Sequence, residues 1–225
     1  AVDADPQGNL TSGLVRKTAE SRPSLYEALI DEEPLESLLV PTELEHLTLV
    51  PSDRNLTGAE VELVPLLARE FRLRQALAPV AGAYDYEIID CPPSLGLLTV
   101  NALAAADSVL IPLQCEYYAL EGVSELTATL ERVRQALNPS LEIEGVLLTM
   151  VDERTNLTQQ VIGEVRTHFQ EQVFETQVPR SVRLAEAPSF GKPAILYDIR
   201  SKGAEAYLQL AQELLSQGQL ALFTP

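Results

Sequence analysis

Cysteine and histidine are scarce in this sequence. The chain has two of each, and none of the four shows the spacing of metal ligands. Cys91 and Cys115 both follow apolar runs typical of strands, so we expect buried free thiols rather than a disulfide or a metal cluster. We assign no chemical role to His46 or His168, which are isolated in the sequence.

Basic residues are also scarce. Sixteen lysines and arginines stand against 33 aspartates and glutamates, which gives a formal net charge of −17. A surface that acidic repels nucleic acid and anionic membranes on average. Binding to either would therefore need a local basic patch.

Long apolar runs are missing as well. No run reaches 18 residues, and the start has neither the basic nor the apolar part of a signal segment. With 46% hydrophobic residues the chain can still bury a sizeable core. We see no internal repeat or linker, so we expect a soluble, intracellular protein with a single domain over residues 1–225.

Strand-like and helix-like segments alternate along the chain. Runs rich in β-branched and apolar residues predict strands, and apolar stripes with helical spacing predict helices. This alternation predicts an α/β fold, a mostly parallel sheet with helices on both faces. The predicted strands are 47–50, 84–90, 108–114, 143–150 and 173–178. The predicted helices are 25–30, 34–40, 59–77, 95–106, about 120–137, 157–169 and 204–215, with a mobile loop over 8–21 and a polar segment over 180–192.

Two strand ends deliver aspartates. Asp90 ends an apolar run and is followed at once by Pro92-Pro93, and Asp3 and Asp5 follow another run at the start of the sequence. An aspartate before prolines also forms turns without binding anything. However, carboxyl ends of parallel strands are where open α/β sheets bind ligands, and two acids there suit a metal–phosphate site. We therefore expect Asp3 and Asp90 to share one site.

Four ordered motifs carry a resemblance to a known family. They are DADPQGNLTSG (3–13), IDCPPS (89–94), EYYALEG (116–122) and PRSVRLAEAPSFGK (179–192). Together they resemble the ParA/Soj chromosome- and plasmid-partitioning ATPases, a deviant-Walker branch of the P-loop NTPases related to MinD. The resemblance covers nearly the whole chain and implies a P-loop NTPase-like fold.

The resemblance also implies a function. Members of this family bind ATP and Mg²⁺, dimerise on ATP, bind DNA non-specifically and hydrolyse ATP with a ParB-type partner. A cytoplasmic, nucleoid-associated homodimer is thus expected. ParA-like ATPases that position a protein cargo are an alternative within this family.

Residue roles follow from the same resemblance. Asp3 resembles the acid that orients the attacking water, and Asp90 resembles the Walker B acid that holds Mg²⁺ through water. Four residues resemble the walls of the nucleotide pocket: Met150, Asp152, Pro179 and Arg180. Three others lie where family members contact DNA: Arg183, Arg200 and Lys202.

The sequence departs from the family at one point. The glycine–lysine phosphate loop, which precedes the Asp3 motif in this family, does not occur in the 225 residues. We therefore expect a chain truncated before its second strand, lacking the first strand, the loop and the first helix. A non-catalytic binding or dimerisation module is the alternative.

A membrane-cycling ATPase of the MinD type is a further alternative. MinD-type proteins usually end in a basic amphipathic helix, whereas residues 217–225 contain no lysine or arginine. We therefore expect no membrane partner.

Overall fold

The fold was analysed in a computed structural model that describes residues 1–15, 23–116, 119–152 and 154–221. These residues divide into two compact units, one over 1–107 and 128–141 and the other over 108–127 and 142–225. The expectation of a single domain stays a prediction. Among the described helices, none is both long and apolar enough to cross a membrane.

The first unit is built around very short strands. β1 (Val2–Asp3) pairs in parallel with β4 (Ile89–Asp90), and a parallel bridge joins Val2 to Val50 on its other side. β2 (Val40–Pro41) and β3 (Thr48–Leu49) form a separate antiparallel pair. The chain therefore brings the ends of β1 and β4 and the residues after β3 to one edge.

Helices of the first unit cover these strands. They are α1 (Asn9–Leu14), α2 (Leu25–Ile30), α3 (Leu35–Leu38), α4 (Leu56–Glu62), α5 (Arg72–Leu77) and α6 (Leu97–Ala105). The Ser24 hydroxyl and the Glu27 carboxylate form a capping box at the start of α2, which satisfies free amides there. Val2, Leu25, Leu29 and Leu98 belong to one buried apolar cluster.

The second unit contains the long strands. β5 (Ser108–Gln114), β6 (Glu142–Val151) and β7 (Val173–Pro179) form a parallel sheet in the order β5-β6-β7. Three helices of the chain follow these strands: α7 (Ala119–Ala136), α8 (Asn156–Phe169) and α11 (Lys202–Ala221). Two short helices, α9 (Val182–Glu186) and α10 (Ala194–Tyr197), follow β7. The predicted α/β fold with parallel strands and helices is confirmed.

The last helix protects the edge of this sheet. Leu210 of α11 belongs to one buried cluster with Phe174 and Val178 of β7. The Glu213 carboxylate accepts hydrogen bonds from the backbone amides of Glu175, at 2.7 Å, and Thr176, at 3.0 Å. These two backbone amides on the edge therefore have partners and are not available to pair with another strand.

Four predicted segments differ clearly from the structure. The strand predicted over 84–90 is confined to β4 (Ile89–Asp90). The helix predicted over 59–77 is interrupted after Glu62. Pro65 causes this break, because it lacks an amide donor and disfavours a helical conformation at the residue before it. Ala68 then adopts a left-handed backbone conformation with φ 52°. The loop predicted over 8–21 contains α1, although residues 16–21 lie outside the described ranges. The polar segment over 180–192 folds as α9 and a 3-10 turn over Ala187–Phe190, because Ser181 and Glu186 bracket a short helical pattern.

Candidate functional site

The carboxylate cluster comprises Asp3, Asp5 and Asp90, at the carboxyl ends of β1 and β4. Asp3 and Asp90 are register partners in the parallel pair, and the Ala4 amide donates to the Asp90 carbonyl at 2.8 Å. Cys91 and Cys115 are free thiols, as predicted; Cys115 is buried, whereas Cys91 is only partly buried. The strand ends thus place Asp3 and Asp90 side by side, at the edge where α/β sheets bind ligands.

Asp3 is the most enclosed member of the cluster, with no exposed surface. Its Oδ2 accepts hydrogen bonds from the Thr11 amide, at 2.7 Å, and from the Thr11 hydroxyl, at 2.6 Å. Its Oδ1 accepts one from the Asp5 amide at 3.2 Å. Three donors therefore fix the orientation of this carboxylate.

Asp5 and Asp90 are more accessible. Asp5 is half-buried, and its Oδ1 accepts a hydrogen bond from the Gln7 amide at 2.9 Å. Asp90 is exposed at the strand end. Over residues 1–15, 23–116, 119–152 and 154–221, no lysine or arginine forms an ion pair with Asp3, Asp5 or Asp90. The cluster thus lacks a neutralising side chain in the described part of the protein.

Desolvation is the main influence on the pKa values of the cluster. Burial raises the pKa of Asp3, and the hydrogen bonds from Thr11 and Asp5 offset part of that rise. Desolvation also raises the pKa of Asp90, and the charges of Asp3 and Asp5 add to it. Burial beside Asp90 and Asp5 raises the pKa of Cys91 to about 12, so this thiol stays protonated at neutral pH.

Mg²⁺ fits this set of side chains. Crowded carboxylates without a cation are stabilised by a divalent ion, and carboxylate oxygen is the ligand type that Mg²⁺ prefers. In the described ranges, no group of three or more histidine, cysteine or acidic side chains is placed so that it could hold a metal ion by itself. Mg²⁺ usually keeps several waters and binds through one or two carboxylates plus phosphates, so a complete cage is not required.

Thr11 and Ser52 also belong to this site, and sequence reasoning assigned a role to neither of them. The Ser52 amide donates to the Thr11 hydroxyl at 2.9 Å, and the Ser52 hydroxyl donates to the Asp5 carbonyl at 2.6 Å. Ser52 is 7% exposed. A hydroxyl residue two positions after the predicted strand over 47–50 was the one signal in the sequence that could have suggested this contact.

The predicted nucleotide-pocket residues lie together in the second unit, at the carboxyl ends of β6 and β7. Val151 of β6 is the register partner of Pro179 of β7, and the Arg180 amide donates to the Val151 carbonyl at 3.1 Å. Met150 and Asp152 flank Val151, and Met150 has a φ of 53°. The sheet register therefore brings Met150, Asp152, Pro179 and Arg180 to one edge.

The charged members of this group are already paired. Arg154 donates to both oxygens of Asp152, at 2.8 and 2.7 Å, and these bonds lower the pKa of Asp152 to about 2. Arg180 forms an ion pair with Glu116 at 3.1 Å. Tyr117 and Tyr118, from the same predicted motif as Glu116, lie outside the described residues.

The predicted DNA-contacting residues lie in the segment over 180–202. Arg183 pairs with Glu186 at 3.0 Å and with Asp198 at 3.5 Å. In contrast, Arg200 and Lys202 form no ion pair with any residue in the described ranges. The segment contains five basic and two acidic residues, so it is locally positive in a chain of net charge −17.

Comparison with known proteins places the chain in a family. A family model described as "AAA domain" matches residues 1–143. "Chromosome partitioning protein ParA" of Myxococcus xanthus is 63% identical over 216 residues, which are 96% of this chain and 76% of that protein. "Sporulation initiation inhibitor protein Soj" of Bacillus subtilis is 56% identical over 217 residues, which are 96% of this chain and 86% of that protein.

A solved structure agrees with these sequence relatives. The cobyrinic acid a,c-diamide synthase of Mycobacterium smegmatis, solved with a bound ATP analog and magnesium, superposes with a TM-score of 0.82 at 38% identity. The match covers 97% of this chain and 82% of that one. The motifs, the parallel fold and these identities lead to one conclusion: the chain belongs to the ParA/Soj family of chromosome-partitioning ATPases.

Proposed function

We propose that this protein is the ATP-hydrolysing component of a DNA-partitioning system, with the carboxylate cluster as its metal and water site. The observation that carries the proposal is the register pairing of Asp3 with Asp90, without a neutralising lysine or arginine in the described ranges. Phosphoryl transfer needs mainly fixed groups and charge stabilisation, so it suits carboxylates held rigidly at strand ends.

Each acid has a proposed task. Asp90, exposed at the strand end, would hold Mg²⁺ through water. The metal's contribution when bound would be to neutralise charge on the phosphate oxygens. Asp3 would orient the attacking water through Oδ1, which accepts only the Asp5 amide among the described residues, while the two Thr11 bonds hold Oδ2. Asp3 has no exposed surface, whereas the half-buried Asp5 is the member of the pair that already meets water.

Hydrolysis assays separate these tasks. The assay uses the full-length protein as its own cell makes it, because the 225 residues contain no glycine–lysine loop to hold the phosphates. We expect Asp90→Asn and Asp3→Asn each to lower kcat by about a hundredfold, since each removes a positioned charge. If Asp5 orients the water instead, Asp5→Asn shows the large loss and Asp3→Asn the smaller one.

The same assay distinguishes the ATPase proposal from the alternative of a non-catalytic binding or dimerisation module. A wild-type protein that neither binds nor hydrolyses ATP would contradict the ATPase proposal and favour a non-catalytic binding module. Asp85→Asn is the matched control, because it removes one exposed acid five residues before Asp90. It should leave kcat unchanged.

DNA binding is proposed for the ATP-bound homodimer, through the segment over 180–202. Arg200 and Lys202 support this proposal, since neither of them forms an ion pair with another residue in the described ranges. Replacing both by alanine should weaken binding to any DNA sequence. It should also make the DNA-binding constant less dependent on salt, by the amount expected for the loss of about two phosphate contacts. Unchanged binding at 50 and 200 mM salt would contradict this role.

A ParB-type protein is the proposed partner that stimulates hydrolysis, and the nucleoid is the proposed location in the cell. The proposal rests on the family to which the chain belongs. A protein cargo positioned by the same cycle is the alternative to a chromosome or plasmid.

A further inference from the structure

A relay of hydrogen bonds links residues from three separate segments of the first unit. Thr11 lies in α1, Ser52 follows β3, and Asp3 and Asp5 lie at the end of β1. The relay runs from the Ser52 amide to the Thr11 hydroxyl, at 2.9 Å, and from that hydroxyl to Asp3 Oδ2, at 2.6 Å. Ser52 is separated from Thr11 by 41 residues in the sequence.

The direction of the relay follows from the chemistry of a hydroxyl. A threonine hydroxyl has a single proton and two lone pairs. The Thr11 hydroxyl accepts the Ser52 N–H on one lone pair. Its single proton remains available, and this proton is donated to Asp3. The separation of 2.6 Å lies within the range of a hydroxyl donating to a carboxylate oxygen.

The relay holds the Asp5 peptide as well. The Asp5 amide donates to Asp3 Oδ1 at 3.2 Å, and the Asp5 carbonyl accepts the Ser52 hydroxyl at 2.6 Å. The peptide groups on both sides of the Asp5 Cα are therefore bonded to members of the relay. The position of the half-buried Asp5 side chain depends on these same bonds.

We propose that Thr11 and Ser52 are positioning residues, which together fix the Asp3 carboxylate and the Asp5 backbone for phosphoryl transfer. This inference rests on the proposed function, since it assigns how the acids of that site are held. Neither residue touches the reacting atoms. Their effect passes through Asp3 and Asp5, and misplacing a catalytic group by about 1 Å is enough to cost a hundredfold in rate.

Amide exchange tests the relay without any nucleotide. Thr11→Val keeps the shape of the side chain but removes the acceptor for the Ser52 amide, so exchange at that amide should rise at least about tenfold. Thr11→Ser keeps the hydroxyl and should leave exchange close to wild type. Ser12→Ala is the control on the same helix, because the Ser12 hydroxyl donates only to the Asn9 carbonyl. It should change nothing at Ser52.

Kinetics on the full-length protein test the positioning role. Thr11→Val and Ser52→Ala should each lower kcat for ATP hydrolysis by about tenfold or more, with KM changed by less than about threefold. Thr11→Ser should restore kcat to within about threefold of wild type. If Thr11→Val fails to fold, Ser52→Ala carries the same test, since it removes only the bond to the Asp5 carbonyl.

The outcomes are distinguishable. Unchanged exchange at Ser52 in Thr11→Val would overturn the relay, whatever the kinetics show. Faster exchange with an unchanged kcat, in a protein whose Asp3→Asn variant loses activity, would overturn the positioning role and leave the proposed function standing. A wild-type protein without hydrolysis would contradict the proposed function, and the positioning role would fall with it.

Discussion

The charged groups at the strand ends of the two units are arranged in opposite ways. In the first unit, Asp3, Asp5 and Asp90 lie at neighbouring strand ends, and no ion pair from the described ranges neutralises them. In the second, Asp152 pairs with Arg154 and Arg180 pairs with Glu116. Paired charges need nothing more from outside the chain. Crowded, partly desolvated acids destabilise the folded protein through desolvation and mutual repulsion. A cation bound from solution can remove this destabilisation.

The largest expected effect comes from relieving the uncompensated cluster. Asp90→Asn removes one of three like charges, so without Mg²⁺ it should raise Tm by a few degrees at pH 7. Because the folded-state pKa of Asp90 is raised, the contribution of Asp90 to stability falls as pH rises from the unfolded pKa of 3.8 through the folded one. The higher Tm of Asp90→Asn should therefore disappear at pH values below 3.8, where Asp90 is protonated in both states. Thermal melts from pH 3 to pH 8 measure it.

A matched variant sharpens this first comparison. Asp85→Asn removes the same charge from an exposed residue on the approach to β4. It should leave Tm unchanged across the same pH range. A rise equal to that of Asp90→Asn would show that net charge, rather than the cluster, limits stability.

The smallest effect is expected in the second unit. The Arg154 side chain is 87% exposed, and exposed ion pairs contribute little to stability because water screens them. Asp152→Asn should therefore change Tm by no more than about 2 °C at neutral pH. Since the pKa of Asp152 is lowered to about 2, any contribution of the pair is present above 3.8 and lost as pH falls toward 2. A change larger than that of Asp90→Asn would reverse the comparison.

The long strands could be predicted from the sequence, and the short segments could not. β5 has the predicted bounds because its β-branched, apolar run is bracketed by polar residues. The prediction over 59–77 was wrong because the apolar spacing continues past Pro65, while the backbone cannot. The strand predicted over 84–90 contains only Ile89–Asp90 as β4, because pairing with the short β1 limits it.

Predictions about the site divide in the same way. The pairing of Asp3 with Asp90 followed from the rule that parallel strand ends share an edge. The bonds from Ser52 to Thr11 and Asp5 join segments more than 40 residues apart, and no local pattern encodes such contacts. The burial of Asp3 likewise depends on where α1 packs, which the sequence did not reveal.

The most direct test of the account is calorimetric titration of ATP, with and without Mg²⁺, into the full-length wild-type protein and its Asp90→Asn variant. The carboxylate cluster predicts that Mg²⁺ strengthens ATP binding to wild type, and that Asp90→Asn loses about tenfold or more of this gain. Equal Mg²⁺ dependence in the two proteins would show that the carboxylate cluster is not the metal site.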